Sequence, residues 1–195
     1  MAGLTLTIKG DGLPRLEEAA RTLGSEKKAR NAYRRAINEA GRDTKTPTKR
    51  ALAKQTGLKV GVANRALRTK KASAADLQYE MKGTGGFIGL KFFKARETRK
   101  GVSAAPFGQR RVFAHTFIKG GLFPNRKELG MGGQVFAPTR GTRWGRDFET
   151  KKSDVRIPDE MVKGVTAQTF ERVGQAKLGE KVRRHIKLVT RGVLS

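Results

Sequence analysis

Few residues in this chain have both the type and the spacing that chemistry requires. The histidines are two, His115 and His185, and there are no cysteines. His115 alternates within an apolar stretch, which reads as a packed strand residue. His185 sits on a basic helix end, where an imidazole suits the negative pole of the helix dipole. Two histidines without cysteine make a zinc site improbable. The acids Asp147, Glu149, Asp154, Asp159 and Glu160 fall close together. They could chelate a cation, but helix-start charge compensation and solvation suffice, and a metal-dependent nuclease built on them ranks last among the readings, because no paired, spaced carboxylates accompany a Lys or His in a recognisable order. Gly83-Thr84-Gly85-Gly86 and Gly130-Met131-Gly132-Gly133 both lack the Gly-Lys-Ser/Thr ending of a phosphate-binding loop, so both read as turns. No catalytic residue, metal ligand or cofactor is expected.

The basic residues carry more. Arg96, Arg99, Lys100, Arg110 and Arg111 border the aromatics Phe92, Phe93, Phe107 and Phe113, while Arg140, Arg143 and Arg146 surround Trp144. Cations interleaved with aromatics can hold single-stranded nucleic acid, although aromatics alternating along strands are more often core. No helix-turn-helix, zinc-finger or RNP-type pattern accompanies them. These eight residues are candidates to face DNA or an acidic protein, and any DNA contact should be with phosphate and independent of sequence.

The elements that must position them follow from periodicity. Leu4, Leu6 and Ile8 alternate with polar residues and predict a strand ended by Gly10-Asp11-Gly12, and Leu16, Ala19, Ala20 and Leu23 predict a short helix. Ser25 is a plausible N-cap for the best helix of the first half. Its apolar face, Ala29, Ala32, Tyr33, Ala36, Ile37 and Ala40, is mostly alanine and would let a neighbouring helix approach closely. Pro47 should kink or break it near Thr46, Ala51, Leu52 and Ala53 resume it, and Gly57 is the expected C-cap. A further short helix covers Val62 to Leu67.

Strands are then expected at Leu77, Tyr79 and Met81, at Phe87 to Phe93, at Val112 to Ile118 and at Gln134 to Ala137, separated by Gly turns in an antiparallel meander. Long loops, approximately 83–111, 119–133 and 139–157, serve function or order on binding. A last helix runs from about Pro158 to Thr190 with breaks at Gly164, Gly174 or Gly179. Val162, Val165, Val173, Val182, Ile186 and Val189 mark its stripe, with Phe170 and Leu178 beside it. The fold class is α+β, in one domain with extended loops. Ala29, Ala32, Tyr33, Ala36, Ile37, Val162, Val165 and Val173 are candidates for packing between subunits.

Composition bounds the function. The 195 residues hold 43 Lys+Arg against 17 Asp+Glu, a formal charge of +26, and only 36% are apolar. Such a chain repels itself and attracts polyanions. The N-terminus lacks the basic and apolar regions of a secretion signal, and no run approaches the roughly 18 apolar residues of a membrane span. A protein made in the cytoplasm, with no membrane partner, is the expectation.

Three stretches in order resemble a known family. They are Ala51–Lys59 with Val62–Ala72, then Phe93–Ala104, then Val112–Ile118 running to Gln134–Phe136 with Ile157–Val162 before the final helix. Together they resemble the minor tail protein Z, or tail completion, family of long-tailed phages, from about Lys27 onward. The lead-in Lys152-Ser153-Asp154-Val155-Arg156 departs from the Gly-Pro-Ser style usual in that family. The resemblance implies a virion protein of the tail neck, assembled in the host cytoplasm, that finishes the tail before or during head joining. It implies a ring of sister subunits, six to match the tail tube, in contact with tail terminator, tail tube and head–tail connector proteins, and with phage DNA in the channel. The alternative is a free basic protein that binds nucleic acid without sequence preference.

Overall fold

The computed structural model describes residues 2–7, 18, 20–21, 24–122, 124–139 and 147–189. Helix α1, Glu26–Thr56, begins where the Ser25 hydroxyl accepts from the Lys28 amide and ends at Gly57, whose φ of 77° closes the helix in the left-handed conformation. Of the kink or break expected at Pro47, the break does not occur. The helix is continuous through it, with Ala36, Ile37 and Ala40 before the proline and Leu52 and Ala53 after it buried in the chain's interior. That shared burial outweighs the ~3 kcal/mol a mid-helix proline costs. Three threonines on the same face are also buried, and their hydroxyls donate to carbonyls one turn back: Thr44 to Ala40 at 2.7 Å, Thr48 to Thr44 at 2.9 Å and Thr56 to Leu52 at 2.7 Å. Each hydroxyl is thereby satisfied without leaving the helix.

The last helix, α4 (Gly164–Val189), lies antiparallel on α1. Gln55 meets Thr166 at one end and Glu39 meets His185 at the other. Between α1 and α4 in sequence come α2 (Val60–Arg65), β2 (Leu67–Lys70), β3 (Gln78–Gly83), β4 (Phe87–Gly89), β5 (Arg96–Thr98), β6 (Gly101–Ala104), β7 (Arg111–Ala114), β8 (Lys119–Gly120), β9 (Lys127–Glu128), β10 (Phe136–Pro138), β11 (Phe148–Thr150), β12 (Lys152–Arg156) and the short helix α3 (Ile157–Met161). With β1 (Gly3–Thr7) the strands form small antiparallel sheets, β1-β3-β2, β5-β6-β7, β4-β12, β10-β11 and β8-β9. The fold is α+β, with a helix pair backed by β1-β3-β2 and the other sheets gathered in the middle of the sequence. The segments expected as extended loops carry short strands. Within 139–157, residues 140–146 lie outside the described residues, as do most of the expected helix at Leu16–Leu23, Ile8 and Thr190.

Two glycines set the closeness of the layers. A Cβ on Gly41 would stand 2.4 Å from Cγ of Tyr79, so the ring of β3 lies flat on the backbone of α1. A Cβ on Gly174 would meet Leu6 Cδ1 at 2.9 Å, so β1 presses on α4. Gly164 (φ 59°) supplies the expected break in the last helix, whereas α4 runs unbroken through Gly174 and Gly179. The buried positions of α4 are Thr166, Phe170, Gly174 and His185. The expected stripe holds in part: Phe170 is buried and Leu178, Val182 and Ile186 pack against the core, whereas Val162 and Val165 are exposed and Val173 is half-buried.

One polar side chain ties these pieces together. The Gln55 amide nitrogen donates to the Glu160 carbonyl at 2.9 Å and to its Oε2 at 3.0 Å. Its oxygen accepts from the Thr166 amide at 3.0 Å and from the Thr166 hydroxyl at 2.8 Å. A residue of α1 thus caps the first turn of α4 from outside that helix. The Lys163 ammonium holds the other Glu160 oxygen at 2.8 Å, and that hydrogen bond raises the lysine's pKa.

Candidate nucleic-acid and subunit interface

The five arginine and lysine candidates of the middle segment are brought together by one three-stranded sheet. In β5-β6-β7, Arg96 pairs with Ser103 and Arg111 with Ala104, and Arg99 and Lys100 form the turn between β5 and β6. That turn depends on Gly101, at φ 136°, where a Cβ would lie 2.1 Å from the Phe113 carbonyl oxygen. The whole of β6 is buried, so the sheet presents its cations from its edges and turn.

The five are not equivalent. Arg110 is spent on structure: its guanidinium donates to the Ser103 carbonyl and hydroxyl at 3.3 and 3.2 Å and to the Lys94 carbonyl at 3.3 Å. Arg111 pairs with Asp154 and lies over the Phe113 ring, 4.7 Å from its centroid. Arg96, Arg99 and Lys100 are exposed and have no ion-pair partner among the described residues. Arg140, Arg143 and Arg146 lie outside the described residues. Of the bordering aromatics, Phe93 is fully buried, Phe92 sits under the Lys91 ammonium at 5.2 Å, and Phe107 is exposed with φ 55°. Among the described residues, no continuous stacking platform is formed with the arginines, and Phe93 is a core residue.

The proposed subunit-packing face of α1 requires correction. Ala29, Ala32, Tyr33, Ala36 and Ile37 are buried within the chain itself, Ala29 and Tyr33 against Leu77, Val182 and Ile186. The close approach that alanine permits is used by this chain's own α4. Val162 and Val165 remain exposed and available.

Exposed large apolar residues are instead most frequent between Phe87 and Phe148, on the short strands and the turns that join them. Phe87, Val112, Leu122, Met131 and Phe148 are among them, with Leu122 at 88% exposure. Two clefts, of about 320 and 310 Å³, share Leu129; Phe117 and Phe148 wall one, and Met131 with Gly130, Gly132 and Gly133 the other. Phe117, Phe136 and Phe148 cluster with centroids 5.0 to 5.9 Å apart, the tilted and edge-on contacts aromatic rings prefer. A third, open groove of about 600 Å³ runs along Phe87 and residues 149–154. Beneath the clefts, Glu97 pairs with Arg126 and accepts from the Ile118 amide at 3.3 Å.

The acids near α3 are each engaged: Asp154 with Arg111, Asp159 with Arg156 at 3.6 Å, and Glu160 with Lys163 and Gln55. No three metal-ligating side chains cluster among the described residues. His115 differs from expectation, while His185 lies near the basic end of α4 as expected. His115 is exposed at φ 56°, just past the end of β7, rather than packed in a strand. His185 is buried, its Nε2 3.0 Å from Glu39 Oε1, in a seam where Lys181 reaches Asp43 at 3.4 Å and Arg184 reaches Glu39 at 3.6 Å. Among the described residues, no helix is long and apolar enough to cross a membrane. No family model, no curated protein and no solved structure matches this chain.

Proposed function

We propose that this chain is a structural subunit of a phage tail, a completion protein at the head-proximal end, and not an enzyme. The observation that carries the reading is the set of large apolar side chains left exposed on the β segments, from Phe87 to Phe148, around clefts lined by Leu129 and Met131. Exposed aromatic and Met side chains beside shaped clefts are what the core of a protein–protein contact is made of. The order of segments that resembles tail completion proteins supports the same reading. The partners are then sister subunits in a ring, six to match the tail tube, together with tail terminator, tail tube and head–tail connector proteins. The protein would be assembled in the host cytoplasm and retained in the virion neck.

The test is native mass spectrometry of the full chain, with Val112→Asp and Leu129→Asp variants, followed by immunogold labelling of purified virions. A closed oligomer that the variants dissociate, and label at the head–tail joint, are expected. Virions without the protein, or infectious particles formed in its absence, would refute the reading. The second reading, a free protein that binds nucleic acid without sequence preference, is favoured by the formal charge of +26. It requires abundant protein outside particles.

A further inference from the structure

The solvent side of α1 carries a ladder of cations. Lys28, Arg35, Arg42 and Lys49 recur at seven-residue steps, three of them exposed and Lys49 half-exposed. Seven residues advance a helix by ~10.5 Å and return it to nearly the same bearing, so the four stand in one row ~31 Å long. Lys45 and Arg50 flank the row. None of these six side chains has an ion-pair or hydrogen-bond partner among the described residues.

An ordinary solvated helix face intersperses acids with its bases. Here the acids of α1 are elsewhere: Glu39 and Asp43 turn to Lys181, Arg184 and His185 of α4, and Glu26 holds Arg30 at the helix start. Arg42, Lys45 and Lys49 are like-charged neighbours at spacings of three and four, which destabilises an isolated helix. A polyanion would relieve that repulsion. The occupant is indicated by what the row lacks. No exposed large apolar residue lies on α1. Protein interfaces need such anchors and are depleted in Lys, whereas phosphate binding is driven by Lys and Arg neutralising charge and needs no apolar anchor.

We infer that the outer face of α1, through Lys28, Arg35, Arg42 and Lys49, is a docking surface for the phosphate backbone of double-stranded DNA. The inference rests on the helix and its charge, and it gives the proposed tail subunit a DNA-facing side distinct from its apolar β segments. Duplex DNA offers one charge per ~1.7 Å of axis, so the row can meet several phosphates without reading bases.

The test compares two full-length variants of equal charge, R35Q/R42Q/K49Q and R96Q/R99Q/K100Q, binding a fluorescent 30-base-pair duplex across a salt series. Each lost phosphate contact should lower the slope of log affinity against log salt by about 0.9, so the helix variant should lose about 2.7 and the sheet-turn variant little. An equal or larger loss in the sheet-turn variant, or no DNA binding by the unsubstituted chain at low salt, overturns the inference. So does polyglutamate competing as well as DNA at equal charge, which assigns the face to an acidic protein. In the unsubstituted chain, bound DNA should protect Lys28 and Lys49 from acetylation while Lys100 stays reactive. The reverse pattern overturns the inference even if a variant folds poorly. Because only the isolated chain and DNA are used, failure here is distinct from absence in virions.

Discussion

Replacing Gln55 with Ala tests whether the joint between α1 and α4 is held as the geometry indicates. The amide makes four hydrogen bonds, two to Glu160 and two from Thr166. Thr166 is fully buried, so its N–H and hydroxyl would lose their acceptor where water has poor access, while Glu160 keeps Lys163 on its other oxygen. Leaving a buried polar group unpaired costs about 1–3 kcal/mol, and partial water entry beside half-buried Gln55 brings the total to about 2–4 kcal/mol. For a chain of this length each kcal/mol moves the midpoint by about 2–4 °C, so Tm should fall by on the order of 10 °C. The assay is thermal and urea denaturation followed by circular dichroism. An unchanged urea m-value would show that the loss lies in stability and not in the extent of folding. Gln55→Glu keeps an acceptor for Thr166 but sets a carboxylate against Glu160, so its loss should be larger at neutral pH and shrink as pH falls. Lys177→Gln, which removes only an exposed pair with Glu180, should leave the midpoint in place. A Gln55→Ala midpoint indistinguishable from the parent would refute the capping argument.

The glycine contacts separate two outcomes. Gly41→Ala gains ~1 kcal/mol of helix propensity but drives a methyl into the buried Tyr79 ring, so a net loss of about 2 kcal/mol is expected on urea denaturation. Gly174→Ala meets only the end of Leu6, which can turn aside, and should stay within about 1 kcal/mol of the parent. Equal effects would contradict the packing. Burial raises the Tyr79 phenol above its ordinary 10.0. The fold therefore favours the neutral phenol, and its contribution is complete below pH 10.0 and lost as pH rises through the folded value. Tyr79→Phe should flatten the alkaline fall in stability, and an unchanged fall would count against the assignment. Raising salt should release DNA while leaving any oligomer intact, since ionic contacts are screened and apolar ones are not. Sedimentation with and without duplex DNA reads both at once, and an oligomer that dissolves together with the DNA complex would contradict the separation.

Much of α1 was legible because its signals are local: Ser25 and Gly57 mark its ends, and the alanines mark its inner face. The reading failed where distant packing overruled a local rule. Pro47 says stop, but the residues on either side are buried in one core. The stretch Phe87–Phe93 reads as strand by composition, yet it leaves β4 at Gly89 for a single 3₁₀ turn, Leu90–Phe92, and Leu90 and Phe93 are fully buried. The valines before and after Gly164 suggest one continuous stripe. The left-handed residue resets the helix, and the buried row continues through Thr166, Phe170 and Gly174, two of which hydropathy does not count as apolar. Gln55 gave no signal, since its partners are more than a hundred residues away.

The cations show most clearly what a sequence hides. Arginines beside aromatics drew notice because that pattern has a known chemistry, yet Arg110 braces the sheet through Ser103 and Arg111 is paired with Asp154 of β12. The α1 row drew none, because a charge on the outer face of a helix is ordinary until its acids are located. Their location changes its meaning. Glu39 and Asp43 are neutralised against α4, so the helix is compensated on the side it buries and uncompensated on the side it exposes. The large exposed apolar side chains lie off that helix altogether. A helix row that is cationic and bare of large apolar side chains, with apolar area exposed on other elements, offers a polyanion and a protein separate places to bind, and neither contact needs to be broken for the other to form.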